Sequence, residues 1–121
     1  MRRIILDTSS IVFAFENRLD IFALVHERLD SKPVVSSGIM SELRKLSLRR
    51  NREGNAAKLA LQIIGRHDVE VVKSDRKVDD SLVQIGKEGK VLVCTNDAGL
   101  KRRLRSAGIR PLSISRSGVL R

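Results

Sequence analysis

Arg3-Ile4-Ile5-Leu6-Asp7-Thr8-Ser9-Ser10 is the stretch on which the fold turns. A short aliphatic, β-branched run passes straight into a carboxylate and three hydroxyls. The run reads as a strand. Asp and Ser then favour the start of a helix, because their side-chain oxygens accept from the free N–H groups of a first turn. A strand that turns at once into a helix is how a crossover unit begins.

Working outward, three further runs read as strands: Pro33 to Ser36, Val69 to Lys73 and Lys90 to Cys94, with Pro111 to Ile114 as a weaker fifth. Helical spacing fills the intervals. Phe22, Val25 and Leu29 share one stripe within Asp20 to Leu29, and Ile39, Leu43 and Leu46 make another. Ala56 to Ile64 is built of strong helix formers, Val78, Leu82 and Ile85 share a face, and Leu100, Leu104 and Ala107 close the series. Strands alternating with helices predict an α/β fold, a three-layer α/β/α sandwich around a central, mainly parallel sheet of four to five strands. Residues 49 to 55 look like the one polar, flexible joint. Residues 1–115 read as one domain and 116–121 as a short basic C-terminal tail.

The 121 residues suffice for an aliphatic core without staples. With one cysteine and two histidines, neither a disulfide framework nor a four-ligand zinc site can form within the chain. Three Phe and no Trp or Tyr argue against an aromatic base-stacking platform. The N-terminal run is too soon interrupted by charge for a signal peptide, and no stretch approaches the ~20 apolar residues of a membrane span. A cytoplasmic protein without membrane contact is expected.

The net charge is +10, from 24 basic and 14 acidic residues. A domain this basic attracts polyanions, nucleic acid before anionic membrane. No acidic residue follows Asp97, whereas Lys101, Arg102, Arg103 and Arg105 crowd the last helix; Arg44 and Lys45 belong to a second run. Solubility does not require such segregation, so these six are the expected nucleic-acid contacts.

Against this background the carboxylates stand out. In an open parallel sheet, ligands bind beyond the carboxyl ends of the strands. Asp7 follows the first strand, Asp97 follows Val91-Leu92-Val93-Cys94 by two residues, and Asp79 and Asp80 open the helix before that strand. Glu42 borders the Ile39–Leu46 stripe. Each has a bland reading: Asp7, Asp80 and Asp97 as helix caps, Glu42 as a surface partner of Arg44 or Lys45. Caps need not gather at one end of a sheet, but metal ligands must. Hard cations such as Mg2+ and Mn2+ prefer oxygen ligands and keep several waters.

At these residues the chain resembles a PIN domain over about Ile4 to Ile114. That family opens with a hydrophobic strand ending in Asp-Thr/Ser, as Ile4-Ile5-Leu6-Asp7-Thr8-Ser9 does. The later acidic motifs are matched by Ser41-Glu42-Leu43-Arg44-Lys45-Leu46, by Asp79-Asp80-Ser81-Leu82-Val83 and by Val93-Cys94-Thr95-Asn96-Asp97. All four occur in order. The resemblance implies a divalent-metal-dependent endoribonuclease using Mg2+ or Mn2+ and frequent homodimers. It implies Asp7, Glu42, Asp80 and Asp97 as ligands and catalytic groups, with Asp79, Thr95 and Ser9 in support. The Val78–Val83 segment, the Thr95–Asp97 turn and the basic helix from Leu100 to Arg105 resemble the subgroup related to nucleases of small-subunit ribosomal RNA maturation. The VapC toxins, which cut transfer or ribosomal RNA under an antitoxin's control, are the other branch. A ribosome-processing assembly or an antitoxin is accordingly the expected partner beside RNA itself.

Other classes fit less well. An aspartyl phosphatase needs a second Asp two residues after the first, where Ser9 stands, and a receiver domain needs an acidic pair near the end of its first strand. A catalytically silent RNA-binding module stays open as the non-enzyme alternative. Ser9 and Ser10 lack a histidine partner for nucleophilic work, His26 reads as surface, Cys94 as core, and Gly86 and Gly89 match no phosphate loop.

Overall fold

A computed structural model describes residues 1–121. Its elements are β1 (Arg2–Leu6), α1 (Thr8–Glu16), α2 (Ile21–Leu29), β2 (Ser31–Ser36), α3 (Ser37–Ser47), α4 (Arg52–Ile64), β3 (Glu70–Val72), α5 (Val78–Glu88), β4 (Val91–Cys94) and α6 (Ala98–Ser106). The four strands form one sheet in the order β3-β2-β1-β4, with every neighbouring pair parallel. This is the α/β/α fold expected from the alternating pattern. Because crossovers between parallel strands are right-handed, the reversal of direction after β3 sends α5 to the face opposite the earlier helices. In keeping with this, α1, α3 and α4 pack on one another, while α5 packs on β4 and α6. Ile4, Ile5 and Leu6 are fully buried between the layers, and each such side chain contributes about 1.5–3 kcal/mol by leaving water. No helix is long and apolar enough to cross a membrane.

The chain departs from its sequence pattern in four places. Pro111 to Ile114 is not a strand but a single parallel bridge, Leu112 to Cys94. The Leu112 N–H donates to Val93 O and its carbonyl accepts from Thr95 N, each at 2.8 Å. Then the chain turns back, Ser113 and Arg121 exchange backbone hydrogen bonds, and Ile114 bridges Leu120 antiparallel. Residues 116–121 are thus the return arm of a small hairpin. The polar stretch 49 to 55 is a joint only as far as Asn51, since α3 ends at Ser47 and α4 begins at Arg52. Asn51 caps that helix by accepting from the Gly54 N–H at 2.9 Å, and a Cβ on Gly54 would lie 1.9 Å from the Arg49 carbonyl oxygen. Finally, α1 shows no clear apolar stripe because Ser10, Ile11, Val12, Ala14 and Phe15 are all buried, and a helix buried around most of its circumference has little polar face to mark it.

Candidate active site

The sheet has its topological switch point between β1 and β4, where the chain's successive strands leave in opposite directions. Crevices form there. β1 and β4 pair with Leu6 opposite Cys94, and the Asp7 N–H continues that ladder to Cys94 O at 2.9 Å. Asp7 occupies the cap position of α1 yet makes no side-chain cap hydrogen bond. Its Oδ2 accepts instead from Thr95 Oγ1 at 2.8 Å and Ser9 Oγ at 3.0 Å. Those two hydroxyls in turn accept from the backbone, Ser9 Oγ from Asn96 N and Thr95 Oγ1 from Asp97 N, both at 3.1 Å. The turn after β4 is therefore latched to the carboxylate. Only 5% of Asp7 is exposed. Burial pushes its carboxyl above the ordinary carboxylate range, the two hydroxyls pull it partway back, and the negative charge of Asp79 raises it further.

Around Asp7 lies a cavity of about 580 Å³ lined by Glu16, Glu42, Glu53, Asp79 and Asp97 as well, with Val12, Phe13 and Leu46 as its apolar wall. Asp97 does cap α6: its Oδ1 accepts from Gly99 N at 2.7 Å and Leu100 N at 3.1 Å. Glu42, reached across from α3, accepts from Thr8 Oγ1 through Oε2 at 2.6 Å. It is exposed rather than tucked against the core, and it pairs with neither Arg44 nor Lys45. Asn96 steadies the rim, its side-chain amide bonding both backbone groups of Ile114 at 2.9 and 3.0 Å. No three acidic, histidine or cysteine side chains converge closely enough to enclose one ion as they stand.

Ion pairing sorts these carboxylates. Glu16 pairs with Arg52 at 3.4 Å and Glu53 with Arg49 at 3.3 Å. Asp7, Glu42, Asp79 and Asp97 have no cationic partner. Asp80, the member of the adjacent pair that the family pattern selects, lies outside this cavity and bonds Arg103 at 2.8 Å. Its neighbour Asp79 is the one that enters. One residue along a helix turns a side chain by roughly 100°, so only one of the two adjoining aspartates reaches this cavity, although both border the neighbouring one.

Of the expected RNA contacts, Lys45 and Arg103 border a cavity that adjoins the acidic one, and Arg102 lines a further cavity with Arg103. Arg44, Lys101 and Arg105 line none of these. The sequence reading missed Thr8 as the support of Glu42, Asn96 as the brace of the turn, and Glu16 and Glu53 as lining groups. Thr8 could have been found from its place beside Asp7. Glu53 could not, because its helix start was hidden in the polar stretch.

A family model described as a PIN like domain matches residues 4–116. Ribonuclease VapC9 of Archaeoglobus fulgidus is 28% identical over 110 residues, covering 90% of this chain and 80% of that protein. The solved PIN domain endonuclease Utp24 superposes with a TM-score of 0.75 at 32% identity, over 93% of this chain and 85% of its own. A domain of a functionally unknown protein from Methanocaldococcus jannaschii shares the fold, with a TM-score of 0.64 at 13% identity over 95% of this chain and 92% of that one. The family match runs through every one of the acidic segments that the fold gathers at its switch point, and the chain belongs to the PIN-domain ribonuclease family.

Proposed function

We propose that the chain is a divalent-metal-dependent endoribonuclease in which Asp7, Glu42, Asp79 and Asp97 hold Mg2+ or Mn2+. The observation that carries this reading is four carboxylates without a counter-ion around one cavity, in a chain of net charge +10. Burial, with the Asp79 charge adding to it, raises the Asp7 carboxyl, and a divalent cation would reverse that penalty. The donor set is all oxygen, which suits a hard cation, and an ion that keeps several waters needs only one or two direct carboxylates. That matches side chains which share a cavity without meeting at one point. When bound, such an ion supplies a Lewis acid beside the phosphodiester.

The chain's own groups do the rest. Ser9 and Thr95 fix Asp7, and Thr8 fixes Glu42, so two carboxylates keep their orientation as RNA enters. Asp97 spends Oδ1 on its helix and keeps Oδ2 for the cavity. Val12, Phe13 and Leu46 keep one wall dry, which strengthens every charge interaction inside. Lys45 and Arg103 attract the substrate backbone without reading its sequence.

The test is cleavage of generic RNA with added Mn2+ or Mg2+, repeated in chelator and with Asp97→Asn. Asparagine keeps the helix cap, so the variant folds. Chelator and variant should each abolish cutting. Full activity in the Asp7→Asn/Asp97→Asn double variant would end the assignment, and binding without cutting in a folded sample would favour the silent module. Ribosomal RNA processing is the role proposed. A VapC-type toxin is the alternative favoured by the VapC9 likeness, and a small antitoxin-like reading frame beside the gene would select it. A cytoplasmic homodimer completes the proposal, with mass in solution as its check.

A further inference from the structure

Beside the acidic cavity runs a second one of about 680 Å³. It shares Glu42 and Asp79 with the first, so the two adjoin. Apart from Asp80, the rest of its charged wall is cationic: Lys45 from α3, Arg76 and Lys77 from the loop ahead of α5, and Arg103 from α6. Lys45, Arg76 and Lys77 make no ion pair, and Arg103 is held by Asp80 in a contact about half open to solvent. Arg103 also borders a third cavity together with Arg102 and Lys87.

Cations from three separate segments therefore converge on one groove beside the carboxylate pocket. Uncompensated positive charges repel one another, and surface packing does not require them to gather here. With a divalent cation on the carboxylates, as the nuclease reading requires, a ligand that joins one anion at the pocket to further anions at regular intervals would account for both charge signs. A phosphodiester backbone is such a ligand: one phosphate lies among the carboxylates and its neighbours lie along the cationic wall. Resting on the nuclease reading above, we propose that Lys45, Arg76, Lys77 and Arg103 form the track for the RNA backbone on one side of the scissile bond. Arg76 and Lys77, in a loop with no periodic signal, are its new members. Contacts of this kind are made equally to bound substrate and to transition state, so they act on KM rather than kcat.

The experiment compares wild type, Arg76→Ala/Lys77→Ala and a charge-matched control, Arg28→Ala/Arg66→Ala, whose exposed residues lie in the last turn of α2 and just after α4, where the chain enters β2 and β3. Binding of a short fluorescein-labelled oligouridine is followed by anisotropy in chelator over a salt series. Each single-strand phosphate contact contributes about 0.7 to the slope of log affinity against log salt. The groove variant should lose about 1.4 from that slope, so between about 50 and about 200 mM salt the wild type weakens about sevenfold more than the variant. The control should keep the wild-type slope, and in Mn2+ the groove variant should show a higher KM at unchanged kcat. Equal slopes for groove and control variants, or no binding by the wild type, overturns the track. A wild type that shows the slope difference yet never cuts would remove the nuclease reading and leave the track in place.

Discussion

Asp79→Asn and Asp80→Asn each remove one negative charge from the first turn of α5 and keep the side chain's size. The charge loss at the helix N-terminus is common to both and worth about 0.3–1 kcal/mol of stability. Activity is where they part. Asp80 bonds Arg103 at 2.8 Å, but the two side chains are 50% and 49% exposed, and pairs so open to solvent contribute about 0.5 kcal/mol or less. Losing that contact changes a rate by about twofold at most. Asp79 lines the cavity with Asp7 and has no cation to balance it. Removing even an outer partner of a metal ligand costs about 10- to 100-fold, so a carboxylate within the cavity sets a loss of about 100-fold or more. Initial rates of Mn2+-dependent cleavage, with thermal unfolding to show that both variants fold alike, read the difference. If Asp80→Asn loses as much as Asp79→Asn, or Asp79→Asn cuts normally, the assignment of roles within this pair is wrong.

Burial raises the Asp7 carboxyl, so the folded chain holds that proton more tightly than the unfolded one. Asp7 therefore costs stability above its raised pKa and nothing below the ordinary aspartate range; in chelator, Asp7→Asn should raise Tm at neutral pH and lose the advantage as pH falls through that window, and a gain independent of pH would contradict this. Gly54→Ala drives a methyl to 1.9 Å from the Arg49 carbonyl oxygen and 3.0 Å from that of Leu46; a backbone shift costing about 1–3 kcal/mol should follow, and an unmoved denaturation midpoint would show that the α3–α4 turn has slack. Burial pushes the Cys94 thiol up to about 12, so a thiol reagent near pH 8 should label it only on unfolding; rapid labelling of the native chain would show that β4 opens.

The sheet and its acidic edge were legible because both follow from short-range signals. Ile4-Ile5-Leu6 and Val91 to Cys94 are uninterrupted aliphatic runs, and Asp7 and Asp97 stand at their exits. The illegible parts depend on contacts between distant segments. Whether Asp79 or Asp80 faces the cavity is a matter of helix rotation, set by how Leu82 seats in the core and by where Arg103 reaches from α6. The start of α4 rests on one cap, Asn51, and on a glycine tolerated only because no Cβ meets Arg49. The fifth strand looked plausible from Pro111 to Ile114, but Asn96 bonds Ile114 with its side chain where a strand would have used its backbone.

The site is in this sense a consequence of strand register. Leu6 lies opposite Cys94 and Ile5 opposite Val93, an alignment fixed by burying these side chains in the core. It sets Asp7 level with the turn at residue 95, which brings the Thr95 hydroxyl to 2.8 Å from Asp7 Oδ2. A slip of one residue would turn every side chain of β4 to the opposite face, removing Thr95 from Asp7 and carrying Asp97 with it. Asp79 and Glu42 do not depend on that register, since each arrives on a helix of its own, Glu42 meeting the Thr8 hydroxyl beside Asp7. Two of the four carboxylates are therefore positioned by the sheet and two by helix packing. A substitution that loosens the β1–β4 pairing should disable Asp7 and Asp97 together, whereas one that rotates α5 should displace Asp79 alone.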